Sequence, residues 1–336
     1  ISKRNGINMN NLNFLNIYDN ENQDERKDVL KGLNNKKQKK INSKYFYDDK
    51  GSKLFDKITR LNEYYPTKTE ISILETQKKI INEYLPSAAS IIEFGSGSNK
   101  KIKKFLNALK NPIEYLPIDI SEKFLFENAK DFAKIFPKIK VTAICADFHQ
   151  VDQLREIVSK KKKKIGFFPG STIGNFMPEK ARKLLENFSY ILGNNNYLVI
   201  GVDLRKNKKI MENAYNDSEG VTAKFNINVL ERLNIEHDAF FNLKEFEHND
   251  FFNKKENRIE MHLVSKIRQS VDIHNRKIDF QKGETIHTEN SYKYSKEEFS
   301  LLSEEAGFKV KKVLTDDKNF FGVFFLKVKV KKEEIK

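Results

Sequence analysis

From Ser90 onward, short apolar runs alternate with amphipathic stretches, and this alternation limits the folds open to the chain more than any other feature. Ser90 to Phe94 is an apolar run that ends in Gly95-Ser96-Gly97-Ser98. Ile102, Phe105, Leu106 and Leu109 then follow at helical spacing. Ile113 to Ile120 reads as a second strand, Val141 to Ala146 as a third, Ile165 to Pro169 as a fourth and Tyr197 to Val202 as a fifth. Between them, Phe124, Leu125, Phe132 and Ile135 mark a helix that stops at Pro137. Another helix, Pro178 to Leu192, has proline at its start and Gly193 just past its end. Strand–helix alternation of this kind predicts a parallel, doubly wound α/β sheet.

The pattern breaks after the fifth strand. Residues 206 to 235 read as helical. Residues 240 to 290 read as antiparallel strands, with Ile259, Met261 and Leu263 alternating against Glu260 and His262. Near the end the first pattern resumes. Ser295 and Glu298 form a capping box for a helix that closes at Gly307, and strands Val310 to Leu314 and Phe320 to Val328 follow. A parallel sheet finished by an antiparallel hairpin is the Rossmann-like plan of class I methyltransferases. The expected division is therefore a sheet domain, 70–205 with 293–331, interrupted by an insertion. The insertion (206–292) and the N-terminal region (1–69) make a second, α+β domain. Residues 1–40 are polar and are expected to be loosely ordered.

With 336 residues, the chain needs no disulfide or metal to hold its core, and its one cysteine, Cys145, rules out an intrachain disulfide and a multi-cysteine zinc site. No apolar run reaches the roughly 18 residues of a spanning helix. The first twenty residues lack the apolar core of a signal peptide, so the chain is expected to be cytoplasmic. It opens on Ile, and residues upstream of it are expected. The net charge is +15, but the excess is mostly lysine, scattered along the chain. The densest run, Lys160 to Lys164, precedes an apolar strand and reads as a solvated loop. No nucleic-acid partner is expected from it.

Several constellations can carry chemistry. Glu93-Phe94-Gly95-Ser96-Gly97-Ser98 lies between strand and helix, where glycines let the backbone turn sharply and approach a ligand. The three-glycine dinucleotide fingerprint is absent, and the shortened Gly-x-Gly form fits an adenosyl ligand without pyrophosphate. Asp119, ending the second strand, is placed to accept from ribose hydroxyls. Asp147-Phe148, after the third strand, can receive an adenine amino group and line its ring. The loop Phe168 to Phe176 carries glycines, hydroxyls and an amide suited to a small polar substrate. Tyr45-Phe46-Tyr47-Asp48 and Glu63-Tyr64-Tyr65-Pro66 are aromatic clusters that suit either a core or a pocket. The stretch Gly283 to Tyr294 is dense in polar groups, and a surface strand is the alternative reading of it.

Taken together, these blocks resemble the histidine-specific Nα-methyltransferases of ergothioneine biosynthesis. The likeness runs from about Lys44 to Leu326 and is carried by "YFYDDKGSKLFDKITRLNEYYPTKTE", "EFGSGS", "FPGSTIGNF", "GVTAKFNINVLERLN", "RIEMHLVS" and "GETIHTENSYKY". It departs at Asn62, where proline is common, and over the first forty residues. The resemblance implies S-adenosyl-L-methionine as methyl donor, bound by Gly95, Lys101, Asp119, Asp147 and Phe148. It implies that Gly170, Asn175 and Tyr215 hold the backbone of L-histidine, with Asn175 and Tyr215 on the carboxylate. Tyr64, Met261, Glu289 and Ser291 would surround the imidazole, and Tyr47 would sit near the amine as the catalytic residue. The implied reaction gives hercynine, the trimethylated betaine.

In this family the Met and Glu positions bear on the choice of histidine, and both are present here. The alternative is a same-fold N-methyltransferase acting on another amino acid or an arylalkylamine. The resemblance implies a monomer acting on a small molecule. No metal and no membrane partner are expected, since no His, Asp and Glu set shows ligand spacing in the sequence.

Overall fold

The computed structural model describes residues 11–18 and 25–330. The strands are β1 (Leu12–Asn16), β2 (Lys39–Lys40), β3 (Ser90–Phe94), β4 (Glu114–Asp119), β5 (Lys140–Cys145), β6 (Lys164–Phe168), β7 (Tyr197–Asp203), β8 (Phe246–Asn253), β9 (Arg258–Ser265), β10 (Gln269–Ile273), β11 (Arg276–Phe280), β12 (Thr285–Tyr292), β13 (Phe308–Thr315) and β14 (Phe321–Val328). The helices are α1 (Glu25–Leu33), α2 (Asp49–Ile58), α3 (Tyr65–Thr76), α4 (Lys78–Tyr84), α5 (Lys100–Leu106), α6 (Glu122–Ile135), α7 (Val151–Ser159), α8 (Pro178–Leu192), α9 (Lys208–Asn213), α10 (Val221–Glu236) and α11 (Lys296–Glu305). Among the described residues, 11–18, 68–205 and 294–330 form one unit, and 25–67 with 206–293 form another.

The first unit is built on a sheet with strand order β1-β5-β4-β3-β6-β7-β14-β13. Strands β1 through β7 in this sheet pair parallel, while β14 runs antiparallel to both β7 and β13. Each residue of β3 and β6 is buried, which is why both read as mostly apolar runs rather than as alternating ones, with Glu93 and Lys164 as buried charged members. The carboxyl ends of β3, β4, β5 and β6 carry the loops singled out in the sequence.

Three expectations need correction here. Residues 11–18 are not loosely ordered, and they do not belong with the second domain. Leu12–Asn16 pairs in register with Val141–Cys145 and adds an edge strand to the large sheet. Asn11 fixes its start: the side-chain amide lies 3.1 Å from the carbonyls of Ala133 and Ile139 and 3.3 Å from that of Phe136. Likewise α1 is a regular helix that buries Val29, Leu30 and Leu33. Residues 1–10, 19–24 and 331–336 lie outside the described residues. The lysine run before β6 is not a simple solvated loop either. Lys161 pairs with Glu114 at 2.7 Å, and Lys164 is buried with its ammonium 3.2 Å from the Lys161 carbonyl.

The second unit holds a four-stranded sheet, β2-β12-β9-β8, and the hairpin β10-β11. Its core joins Phe46, Phe225, Val229, Leu233, Ile259, Met261, Leu263 and Ile286, and the Phe46 and Phe225 rings stack at 4.5 Å. The alternation expected in β9 is present, but its polar face is not solvated. Glu260 and His262 are each 5% exposed, covered by Arg258 and by the stacked His287 ring. Between His287 and Glu289 the register of β12 against β9 slips by one residue. This bulge puts Glu289, rather than Thr288, opposite Met261. Among the described residues, no helix is long and apolar enough to cross a membrane.

Candidate active site

In the first unit, the end of β3 turns under Gly95. Its φ of +73° is left-handed, a conformation that favours glycine, and a Cβ there would lie 3.4 Å from the Phe148 ring. The amides of Gly95 and Ser96 both donate to the Ile118 carbonyl at 2.9 Å, so the turn is tied to the end of β4. Around Gly97 an added Cβ would meet no atom within 4 Å, so the loop opens on free space. Beneath it, Tyr115 donates its hydroxyl proton to the buried Glu93 carboxylate, and the Ser96 hydroxyl lies 3.1 Å from Tyr115 Oη. Burial pushes the Glu93 carboxyl up to about 7.

Asp119 closes β4. It accepts the Ser121 amide at 2.9 Å, and burial pushes its carboxyl up to about 7. Asp147 follows β5 and accepts from the His149 amide at 2.9 Å, with the His149 Nδ1 at 2.6 Å, and this bond raises the His149 pKa. Phe148 meets Phe168 and Phe188 edge-on at 6.0 and 6.1 Å. A left-handed glycine turn opening on free space, a half-buried carboxylate and an aromatic ring thus lie at successive strand ends. This arrangement fits the ribose and adenine of an adenosyl ligand.

A buried acid ties two more candidates together. Glu70, 1% exposed on α3, pairs with Lys101 at 2.7 Å. It also accepts the Gly170 amide at 2.9 and 3.1 Å. Gly170 itself has φ +82°, and a Cβ on it would come within 2.9 Å of the Lys101 ammonium. Lys101 and Gly170 are therefore fixed by one carboxylate. Asn175 ends the short 3-10 helix Thr172–Asn175 in the same loop. The start of that helix is held by Ser171, whose hydroxyl accepts the Asp203 amide at 2.9 Å.

In the second unit, an aromatic chain links three tyrosines. Tyr47 meets Phe55 edge-on at 5.9 Å, Phe55 meets Tyr64 at 6.2 Å, and Tyr64 meets Tyr215 at 6.4 Å. Tyr215 donates to the Ser291 hydroxyl at 2.6 Å. Lys293, 1% exposed, reaches Ser291 Oγ at 2.7 Å and Tyr215 Oη at 3.2 Å. Met261 is buried opposite Glu289. Burial pushes the Glu289 carboxyl up to about 7, against the pull of the Lys293 ammonium. The second unit thus gathers Tyr47, Tyr64, Tyr215, Met261, Glu289 and Ser291.

Sequence reasoning missed Glu70, Lys293 and a second cluster. Glu70 is one more acid in a helix, with partners 31 and 100 residues away, so no local pattern marks it. Lys293 could have been found, since Glu289, Ser291 and Lys293 repeat at the strand period of two. The second cluster is Glu260, His262 and His287, whose donor atoms lie within 4.8 Å of one another, a grouping not expected from their spacing. These atoms are engaged within the protein. His262 Nε2 contacts Glu260 at 2.9 Å, His287 Nε2 reaches the Glu289 carbonyl at 3.1 Å, and Arg258 pairs with Glu260 at 2.7 Å. The cluster is a charge-compensated network that backs the bulge in β12.

The sheet order and the strand-end loops define a class I S-adenosylmethionine-dependent methyltransferase. A family described as histidine-specific methyltransferase, SAM-dependent, matches residues 25–328. The chain belongs to this family. The histidine N-alpha-methyltransferase of Mycolicibacterium smegmatis is 36% identical, over 89% of this chain and 93% of that protein. The Mycobacterium tuberculosis enzyme of the same name is 34% identical over the same shares. The N-methyltransferase imqF of Aspergillus flavus is 25% identical, over 88% of this chain and 82% of that protein.

Proposed function

We propose that this protein transfers three methyl groups in turn to the α-amine of L-histidine, giving hercynine. The observation that carries this reading is the placement of Glu289 opposite Met261, with Ser291 on the same face of β12. A carboxylate in that setting accepts a hydrogen bond from a ring N–H, and a site built for that bond disfavours side chains that lack it.

S-adenosyl-L-methionine supplies an electrophilic methyl group. Gly95, Lys101, Asp119, Asp147 and Phe148 are assigned to hold it. Gly170, Asn175 and Tyr215 are assigned to the backbone of the amino acid, Asn175 and Tyr215 taking its carboxylate. Tyr64, Met261, Glu289 and Ser291 are assigned to the imidazole. An α-amine titrates at about 8 or above and attacks only when neutral. Tyr47 is assigned to accept or relay the proton that the amine must lose. No covalent intermediate on the protein is required, and orienting the amine toward the methyl carbon supplies much of the rate. The proposed working form is a cytoplasmic monomer.

The test is competition. Purified protein with S-adenosylmethionine is offered L-histidine, histamine and L-tryptophan together, and methyl transfer to each is quantified. Transfer concentrated on histidine supports the reading. Transfer concentrated on tryptophan or histamine would replace it with that of an N-methyltransferase acting on another amino acid or an arylalkylamine.

A further inference from the structure

Glu70 is a buried acid to which the proposed reaction assigns no part, although Lys101 and Gly170, which it holds, each have one. Its carboxylate lies against β7 where Gly201 leaves room, since a Cβ on that glycine would overlap Glu70 Oε1. From there Oε2 takes the Lys101 ammonium at 2.7 Å and the Gly170 amide at 2.9 Å. Oε1 takes the same amide at 3.1 Å. The Glu70 side chain is 1% exposed and that of Lys101 15%, so the cation is the more open member of the pair. A lysine ammonium has three donors and can hold a second anion without leaving the first. S-adenosylmethionine carries one anionic group, its α-carboxylate, and that is the group a lysine in the cofactor site meets.

We propose that Glu70 is a positioning residue that couples cofactor binding to amino-acid binding, through the carboxylate oxygen that Lys101 and Gly170 share. This deepens the reading above and rests on its assignment of Lys101 to the cofactor and of Gly170 to the amino acid. When the cofactor carboxylate meets Lys101, the ammonium divides its charge between two anions. Glu70 then leans harder on the Gly170 amide, because a buried carboxylate must keep its charge compensated. The loop that carries Gly170 and Asn175 is thereby fixed for the amino acid. Linkage makes the effect reciprocal, so histidine tightens cofactor binding by the same factor.

The experiment titrates L-histidine by calorimetry into the protein alone, with saturating S-adenosylhomocysteine, and with saturating methylthioadenosine, which keeps the adenosine but has no carboxylate. In the wild type, S-adenosylhomocysteine is expected to raise histidine affinity at least about fivefold, the lower end of usual coupling between sites, and methylthioadenosine less than about twofold. Glu70→Gln keeps an acceptor for the Gly170 amide and removes the charge. It is expected to bind both ligands and to hold the response to S-adenosylhomocysteine below about twofold. A merely structural glutamate would shift histidine affinity alike with and without the cofactor and leave that ratio intact, and this result overturns the proposal. So does a wild type that responds equally to the two adenosyl compounds, or to neither, a readout that needs no variant. Histidine that binds under none of these conditions, to protein that binds S-adenosylhomocysteine, would overturn the substrate reading and the coupling with it.

Discussion

Glu289 on β12 stands directly opposite Met261 on β9, one step past the bulge that shifts the register of the two strands. Cross-strand partners share a face, so an ionisable group and a buried thioether are presented side by side. The carboxylate is the specific half of this pair. Glu289→Gln is expected to weaken histidine binding by about 10- to 150-fold, the range for a hydrogen bond to a charged group. The affinity for S-adenosylhomocysteine, measured by the same calorimetry, should stay within about twofold. Equal losses for both ligands would remove Glu289 from the imidazole.

Tyr47 tests the chemical step. It packs its ring on Phe55 and Phe225, contacts that phenylalanine retains. Tyr47→Phe is therefore expected to fold normally and to bind histidine with little change. Its kcat should fall by about 10²- to 10⁴-fold, the usual contribution of a positioned acid or base. A kcat close to that of the wild type would assign the proton to another group.

Asp119 gives the cofactor side a pH dependence. Its carboxyl is pushed up to about 7 by burial, and the ribose contact proposed for it needs the ionised form. Binding must then release a proton below that pH, so affinity rises with pH up to about 7 and is flat above it. S-adenosylhomocysteine has no group titrating between about pH 5 and 8. Its affinity should fall up to about tenfold per pH unit below 7, and Asp119→Asn should flatten most of that slope. A wild-type affinity constant from pH 8 to 6 would contradict the assignment of Asp119.

The Glu70 hub should show in stability. Glu70→Ala leaves Lys101 without its buried counter-charge and the Gly170 amide without its acceptor. Breaking a buried pair on one side costs about 3–5 kcal/mol, which lowers Tm by roughly 4–7 °C in a chain of this size. Differential scanning calorimetry reads this directly. A Tm within about 2 °C of the wild type would show that the pair is dispensable.

Much of the fold was legible because its central strands are buried on both faces and bounded by glycine, proline or a cap. Ser90–Phe94 and Pro178–Leu192 coincide with their expected bounds, and the capping box of Ser295 and Glu298 is formed. What stayed hidden depends on long-range pairing. Leu12–Asn16 is half asparagine-flanked and short, so only its alignment with β5 makes it a strand. Glu260 and His262 looked outward by alternation, yet Arg258 and His287 cover them. The strand-end acids and the tyrosines could be picked out from position and chemistry. Their roles around an amino acid came from the family likeness, and Glu70 became visible only when distant residues met around it.

The central claim is tested most directly by mass spectrometry of a reaction containing purified protein, S-adenosylmethionine and L-histidine. The account predicts a stepwise series of one, two and three added methyl groups, ending in the trimethylated species. Unmodified histidine, from protein shown by calorimetry to bind S-adenosylhomocysteine, would contradict it and turn the search to another amine.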